Sequence, residues 1–114
     1  MKGDHIGEFE ELMLLAVQAL GSQPEGAYGV SILLLVQHET ARNISIGAVY
    51  AALDRLEAKT LVRSAMTSGA PVRGGRSRRT FTVTAEGTRV LKEMRGVRER
   101  LWQAAPMRPA RGRS

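Results

Sequence analysis

The sequence predicts a mainly α-helical fold with one small β-hairpin, in the order α-α-α-β-β-α. Three observations predict it. Apolar residues recur at helical spacing in three successive stretches before residue 60. Phe81 and Val83 then alternate with Thr80 and Thr82, the period of a half-buried strand, directly after a Gly- and Arg-rich turn. A final stretch returns to helical spacing. With 114 residues, 43% of them apolar, the chain has material for one domain around one modest core.

The first helix is expected over Gly7 to Leu20, where Phe9, Leu12, Met13, Ala16, Val17 and Leu20 share a face and Gly21 is the stop. Ser22 to Ala27 reads as a loop punctuated by Pro24 and Gly26. A second helix follows from about Tyr28 to Thr40, with Tyr28, Ile32, Leu35 and Val36 as its buried stripe. After the connector Ala41 to Ser45, the third helix runs from Ile46 to about Lys59. Ser45 is its N-cap, because a seryl oxygen can accept a free amide of the first turn. Val49, Leu53 and Leu56 mark its buried side. The opposite side shows Gly47, Ala48, Ala51, Asp54, Arg55 and Ala58, a face of mostly small residues that permits close approach to another surface. Gly is disfavoured inside helices, so Gly47 reads either as a site of close approach or as an irregular helix start.

Leu61 to Met66 is the first strand of the hairpin, and about Arg79 to Val83 the second. The loop between them, within TSGAPVRGGRSRR, combines turn formers with Arg73, Arg76, Arg78 and Arg79. Thr84 caps the last helix and Glu86 complements its dipole. Val90, Met94, Val97 and Leu101 step by four, three and four, the spacing of a coiled-coil seam, and Leu91 and Trp102 widen the apolar face. The domain is therefore expected to span residues 1–102, with a dimerisation helix at about 84–102. Residues 103–114, rich in Pro and Arg, are expected to form a disordered basic tail.

Charge is unevenly distributed. Residues 1–60 carry four basic and eight acidic side chains, whereas residues 61–114 carry thirteen basic and three acidic, for a net +6. A basic half on a small domain points to a polyanion partner, nucleic acid before membrane. There is no Cys, which excludes a disulfide framework and thiolate chemistry. Apolar runs such as Ile32 to Val36 are far short of a membrane span, and Met1 to Glu11 lacks the apolar core of a signal peptide, so a cytoplasmic location is expected. His5 and His38 are far apart, no HExxH, GxSxG or Walker loop occurs, and Glu10 and Glu11 point to different sides of a helix. Neither catalysis nor a metal or cofactor site is expected.

Three helices, a hairpin with a basic loop, and a closing helix make up a winged helix-turn-helix, whose third helix enters the major groove while the loop reaches flanking backbone. Four segments then point further: GEFEELMLLAVQAL, AYGVSI, SIGAVYAALDRLEAKTLVRS and GGRSRRTFTVTAEG. In this order and spacing they resemble the PadR-like transcriptional regulators over Gly7 to about Trp102, with GAVYAALDRLEAKTLV the most specific block. The resemblance implies a homodimeric repressor that binds a palindromic operator in double-stranded DNA, often released by a small-molecule effector. It also implies a recognition surface that includes Ser45, Gly47, Tyr50 and Arg55. With one helix after the wing, the chain is similar to the short class. It departs from relatives at Leu34 and Leu35, positions that are more usually polar.

The residues themselves assign the wing, Arg73, Gly74, Gly75, Arg76, Arg78 and Arg79, to phosphate or narrow-groove contact. Four guanidinium groups within seven residues repel one another unless a polyanion is near. Tyr50 is either a boundary core residue or a hydroxyl reaching phosphate. Arg55 either contacts DNA or pairs with Asp54 or Glu57. The dimer seam is assigned to Val90, Met94, Val97 and Leu101. The alternative function is a small basic RNA-binding or ribosome-associated protein. Against it, the five aromatics (Phe9, Tyr28, Tyr50, Phe81 and Trp102) are mostly better placed in a core than on a stacking platform.

Overall fold

The computed structural model describes residues 6–67 and 77–106. Its elements are α1 (Glu8–Leu20), β1 (Ala27–Tyr28), α2 (Gly29–Thr40), α3 (Ile46–Ala58), β2 (Val62–Thr67), β3 (Arg78–Val83) and α4 (Ala85–Ala104). The three strands form an antiparallel sheet in the order β1-β3-β2. The mainly helical fold with its hairpin and four helices is as the sequence predicts.

Both expected caps are present. The Ser45 hydroxyl accepts from the Ala48 amide at 3.0 Å and the Thr84 hydroxyl accepts from the Gly87 amide at 3.0 Å. The addition is β1. Ala27 and Tyr28, expected as the end of a loop and the start of a helix, pair with Phe81 and Thr80 instead. Two residues are too short to show a period in sequence. Their extended backbone is held by the strand they meet and by Ser31, whose hydroxyl accepts the Tyr28 amide at 2.9 Å.

The core collects Met13, Leu14 and Val17 from α1, Ile32 and Val36 from α2, and Val49, Leu53 and Leu56 from α3. Leu61, Val62 and Phe81 close it from the hairpin side and Val90 from α4. The three α3 residues are those the helical spacing selected. Leu14, fully buried, was not on the predicted face of α1, whereas Phe9, Leu12 and Leu20 from that face are only half-buried. Helix α1 is packed on more than one side, so its buried arc is wider than one stripe.

Two corrections concern α4. Val90, expected in a dimer seam, is 2% exposed and belongs to the core of its own chain, and the half-buried Leu91 and Met94 pack against that core. The helix also runs through Ala104, two residues into the expected tail. Residues 107–114 of that tail lie outside the described residues.

One glycine is required by packing. A Cβ on Gly87 would stand 2.2 Å from the Leu61 carbonyl oxygen, because the first turn of α4 lies directly on the segment that joins α3 to β2. Gly47 is the opposite case, with only the Ser45 hydroxyl as near as 4.0 Å. Gly87→Ala should therefore lower stability by roughly 1–3 kcal/mol, as overpacking does. Gly47→Ala should raise it by up to roughly 0.5–1 kcal/mol through backbone entropy. Urea denaturation of the two variants, read as opposite shifts in midpoint, checks both.

Candidate nucleic-acid interface

The outer face of α3 is open. Ser45, Gly47, Ala48, Ala51, Asp54, Arg55 and Ala58 are all exposed. The fully buried Val49, Leu53 and Leu56 hold the opposite side against α1 and α2. Near the N-terminal end of this face no side chain is longer than that of Ile46, which is 39% exposed. A backbone so bare can come close to a base edge or a phosphate.

Tyr50 is half-buried and lies against α2. A Cβ on Gly29 would stand 2.3 Å from its hydroxyl oxygen, so Gly29 provides the space for the ring. The hydroxyl is thereby brought to the first turn of α2, beside Tyr28. The Arg78 guanidinium stacks on the Tyr28 ring at 3.9 Å from its centroid, a cation–π contact that holds this arginine at the foot of the wing. Arg73, Gly74, Gly75 and Arg76 lie outside the described residues.

Two assigned arginines are engaged within the fold. Arg55 pairs with neither Asp54 nor Glu57. Its Nε donates to Glu10 Oε2 of α1 at 2.6 Å, and Lys59 Nζ donates to the other oxygen at 2.9 Å. Arg79, expected to contact phosphate, turns instead to α3, donating to Glu57 at 2.8 Å and Asp54 at 3.3 Å. The cause is strand alternation. Arg78 is exposed, whereas its neighbour Arg79 shares the helix-facing side of β3 with the buried Phe81, at 4.9 Å from that ring.

Sequence reasoning missed the acceptors in this network. Glu10 and Glu11 are only 8% exposed. Glu10 takes Arg55 and Lys59, and Glu11 accepts from Arg98 of α4 at 3.1 Å, so the two point to different sides of α1, as expected. Their partners are 45 or more positions away in sequence, and no local pattern announces them.

The comparisons with known proteins bear on this arrangement. The model of the transcriptional regulator PadR-like family matches residues 17–93. The chain belongs to the PadR-like family of transcriptional regulators. No curated protein matches the sequence. Among solved structures, a PadR family transcription regulator from Clostridium difficile R20291 is similar with 22% identity and a TM-score of 0.67, covering 86% of this chain and 94% of its own. A PadR family transcriptional regulator from Eggerthella lenta has 25% identity and a TM-score of 0.60, over 85% of this chain and 81% of its own. The ORC1 protein of Aeropyrum pernix, solved in complex with DNA, shares the fold at 17% identity and a TM-score of 0.63. That likeness covers 85% of this chain and 26% of ORC1. The family is one of transcriptional regulators, not enzymes. Among the described residues, no helix of this PadR-like protein is long and apolar enough to cross a membrane.

The Glu10 pairing has a pH consequence. Burial raises the pKa of this carboxyl. Hydrogen bonds from Lys59 and Arg55, with their charges, outweigh burial and hold it below its ordinary 4.5. A folded-state pKa below the unfolded value contributes stability above the unfolded value, and that contribution is lost as pH falls through the folded one. The stability gap between the unmodified protein and Glu10→Gln should thus be full near neutral pH and close in acid. Thermal unfolding of both across that range checks it, and a gap constant with pH contradicts it.

Proposed function

We propose that this PadR-like regulator is a homodimeric repressor that binds an inverted-repeat operator in double-stranded DNA. In this reading α3 lies in the major groove and the wing on flanking backbone. One observation carries it: the exposed face of α3 presents Gly47, Ala48 and Ala51, and the hairpin that packs against α3 carries the exposed Arg78, stacked on Tyr28. A bare helix face beside a cationic hairpin suits a groove with its two phosphate walls. The ORC1 relative, solved in complex with DNA, supports the fold's fitness for that partner. Ser45 and Gly47 lie nearest the groove in this reading, and Tyr50 places its hydroxyl toward phosphate. Short side chains on α3 leave sequence reading to thymine methyl contacts and DNA shape. Arg73, Gly74, Gly75, Arg76 and Arg78 are the wing contacts in this reading.

The dimer is proposed on the outer part of α4. Val97, Leu101 and Trp102 are 47%, 63% and 60% exposed, with the half-buried Met94 at the inner edge. Leu15 of α1, 45% exposed, adds to the apolar surface left uncovered in one chain. Two-fold symmetry on this face sets half-sites about 34–36 Å apart, one turn of duplex.

DNA binding is tested with a duplex obtained by in-vitro selection. Gly47→Glu should abolish specific binding and leave the fold intact, since the position is open and a carboxylate there meets phosphate. Arg76→Ala and Arg78→Ala should each lower the slope of log affinity against log salt by roughly 0.9. Retained affinity in Gly47→Glu, with normal helical content, overturns the placement of α3.

The dimer is tested by sedimentation. Unmodified protein should run at twice its 12.4 kDa chain mass. Val97→Glu with Leu101→Glu should give a folded monomer that loses operator binding. A single species at the chain mass for the unmodified protein overturns the dimer.

A further inference from the structure

We infer that Glu57 and Arg79 are positioning residues that clamp the wing hairpin at one angle to α3, so that wing and helix engage the same duplex together. The inference rests on the DNA-binding reading above.

The geometry is a single carboxylate holding both strands of the hairpin. Glu57, near the end of α3, accepts the Ser64 amide of β2 at 3.2 Å and the Ser64 hydroxyl at 3.1 and 3.0 Å. Its Oε1 also accepts from Arg79 of β3 at 2.8 Å. Ser64 stands opposite Phe81 in the register and Arg79 opposite Met66, so the two anchor points lie one side-chain step apart on paired strands. Asp54, one turn earlier on α3, takes the same arginine at 3.3 Å. The Ser64 hydroxyl chiefly, then Arg79 and the Ser64 amide, outweigh the opposing desolvation and hold the Glu57 carboxyl below the usual glutamate range.

A clamp is needed because a two-stranded hairpin is marginal by itself. β1 supports it for only two residue pairs. Two linked contacts on one ligand gain affinity only when geometry lets both engage at once. An arginine spent on two carboxylates adds no phosphate contact, so Arg79 acts through the wing and does not touch DNA itself.

Simple electrostatics and the clamp predict opposite signs. Removing the Glu57 charge makes the protein more cationic, which by itself tightens binding to a polyanion. The clamp predicts weaker binding. Glu57→Ala should lose affinity for the selected duplex by about ten-fold, well within the avidity that two linked contacts supply. That loss should vanish when Arg76 and Arg78 are already alanine, because the wing then has little left to contribute. Glu57→Gln, which keeps one acceptor for Ser64, should lie between. Hydrogen exchange gives a readout without DNA: amides of β2 and β3 should exchange faster in Glu57→Ala while those of α1 keep their protection. Affinity equal to or above that of the unmodified protein, an equal loss in both backgrounds, or exchange raised evenly over α1 and the hairpin each overturns the clamp. If the unmodified protein binds no duplex, the DNA reading fails instead, and the exchange pattern still decides the clamp.

Discussion

Two adjacent carboxylates on α1 organise the rest of the molecule. Glu10 and Glu11 are almost fully covered, and a buried charge is tolerated only with partners and hydrogen bonds. Glu10 finds them on α3, through Arg55 and Lys59, and Glu11 on α4, through Arg98. Because neighbouring residues on a helix point about 100° apart, one turn of α1 sets the direction of two other helices. The apolar contacts around Met13, Leu14 and Val17 bring these elements together without directional preference. The ion pairs add the direction.

This places a division of labour among the cationic residues. Arg55, Lys59, Arg79 and Arg98 are held by acidic side chains on other elements, and Arg89 by Glu86 and Glu93 on its own helix. Arg78 is stacked on an aromatic ring, where its charge remains available. Net charge alone thus overstates the surface offered to a polyanion. What matters is which guanidinium groups lack a carboxylate at hand, and strand alternation decides this for the neighbours Arg78 and Arg79.

Along α4 the same apolar spacing serves two purposes. At the N-terminal end the helix lies on the Leu61 carbonyl through Gly87 and buries Val90. Towards the C-terminal end it leaves the body, and Val97, Leu101 and Trp102 are exposed in the single chain. A continuous heptad-like stripe is therefore split between core and outer surface, with Met94 at the boundary.

By itself the sequence determined the local features. Helical spacing placed four helices, Ser45 and Thr84 marked two starts through their hydroxyls, and Phe81 and Val83 marked a strand. The small outer face of α3 and the family were also legible, because side-chain period and motif order are properties of neighbouring residues. Tertiary structure alone decided the partners. Ala27 and Tyr28 became a strand because β3 offered an edge to pair with. Arg55 and Arg79 turned to carboxylates 45 and 22 positions away, and Val90 went into the core. The physical reason is common to all of these: strand pairing, charge compensation and burial are set by which elements meet in space, and spacing along the chain carries no record of that meeting.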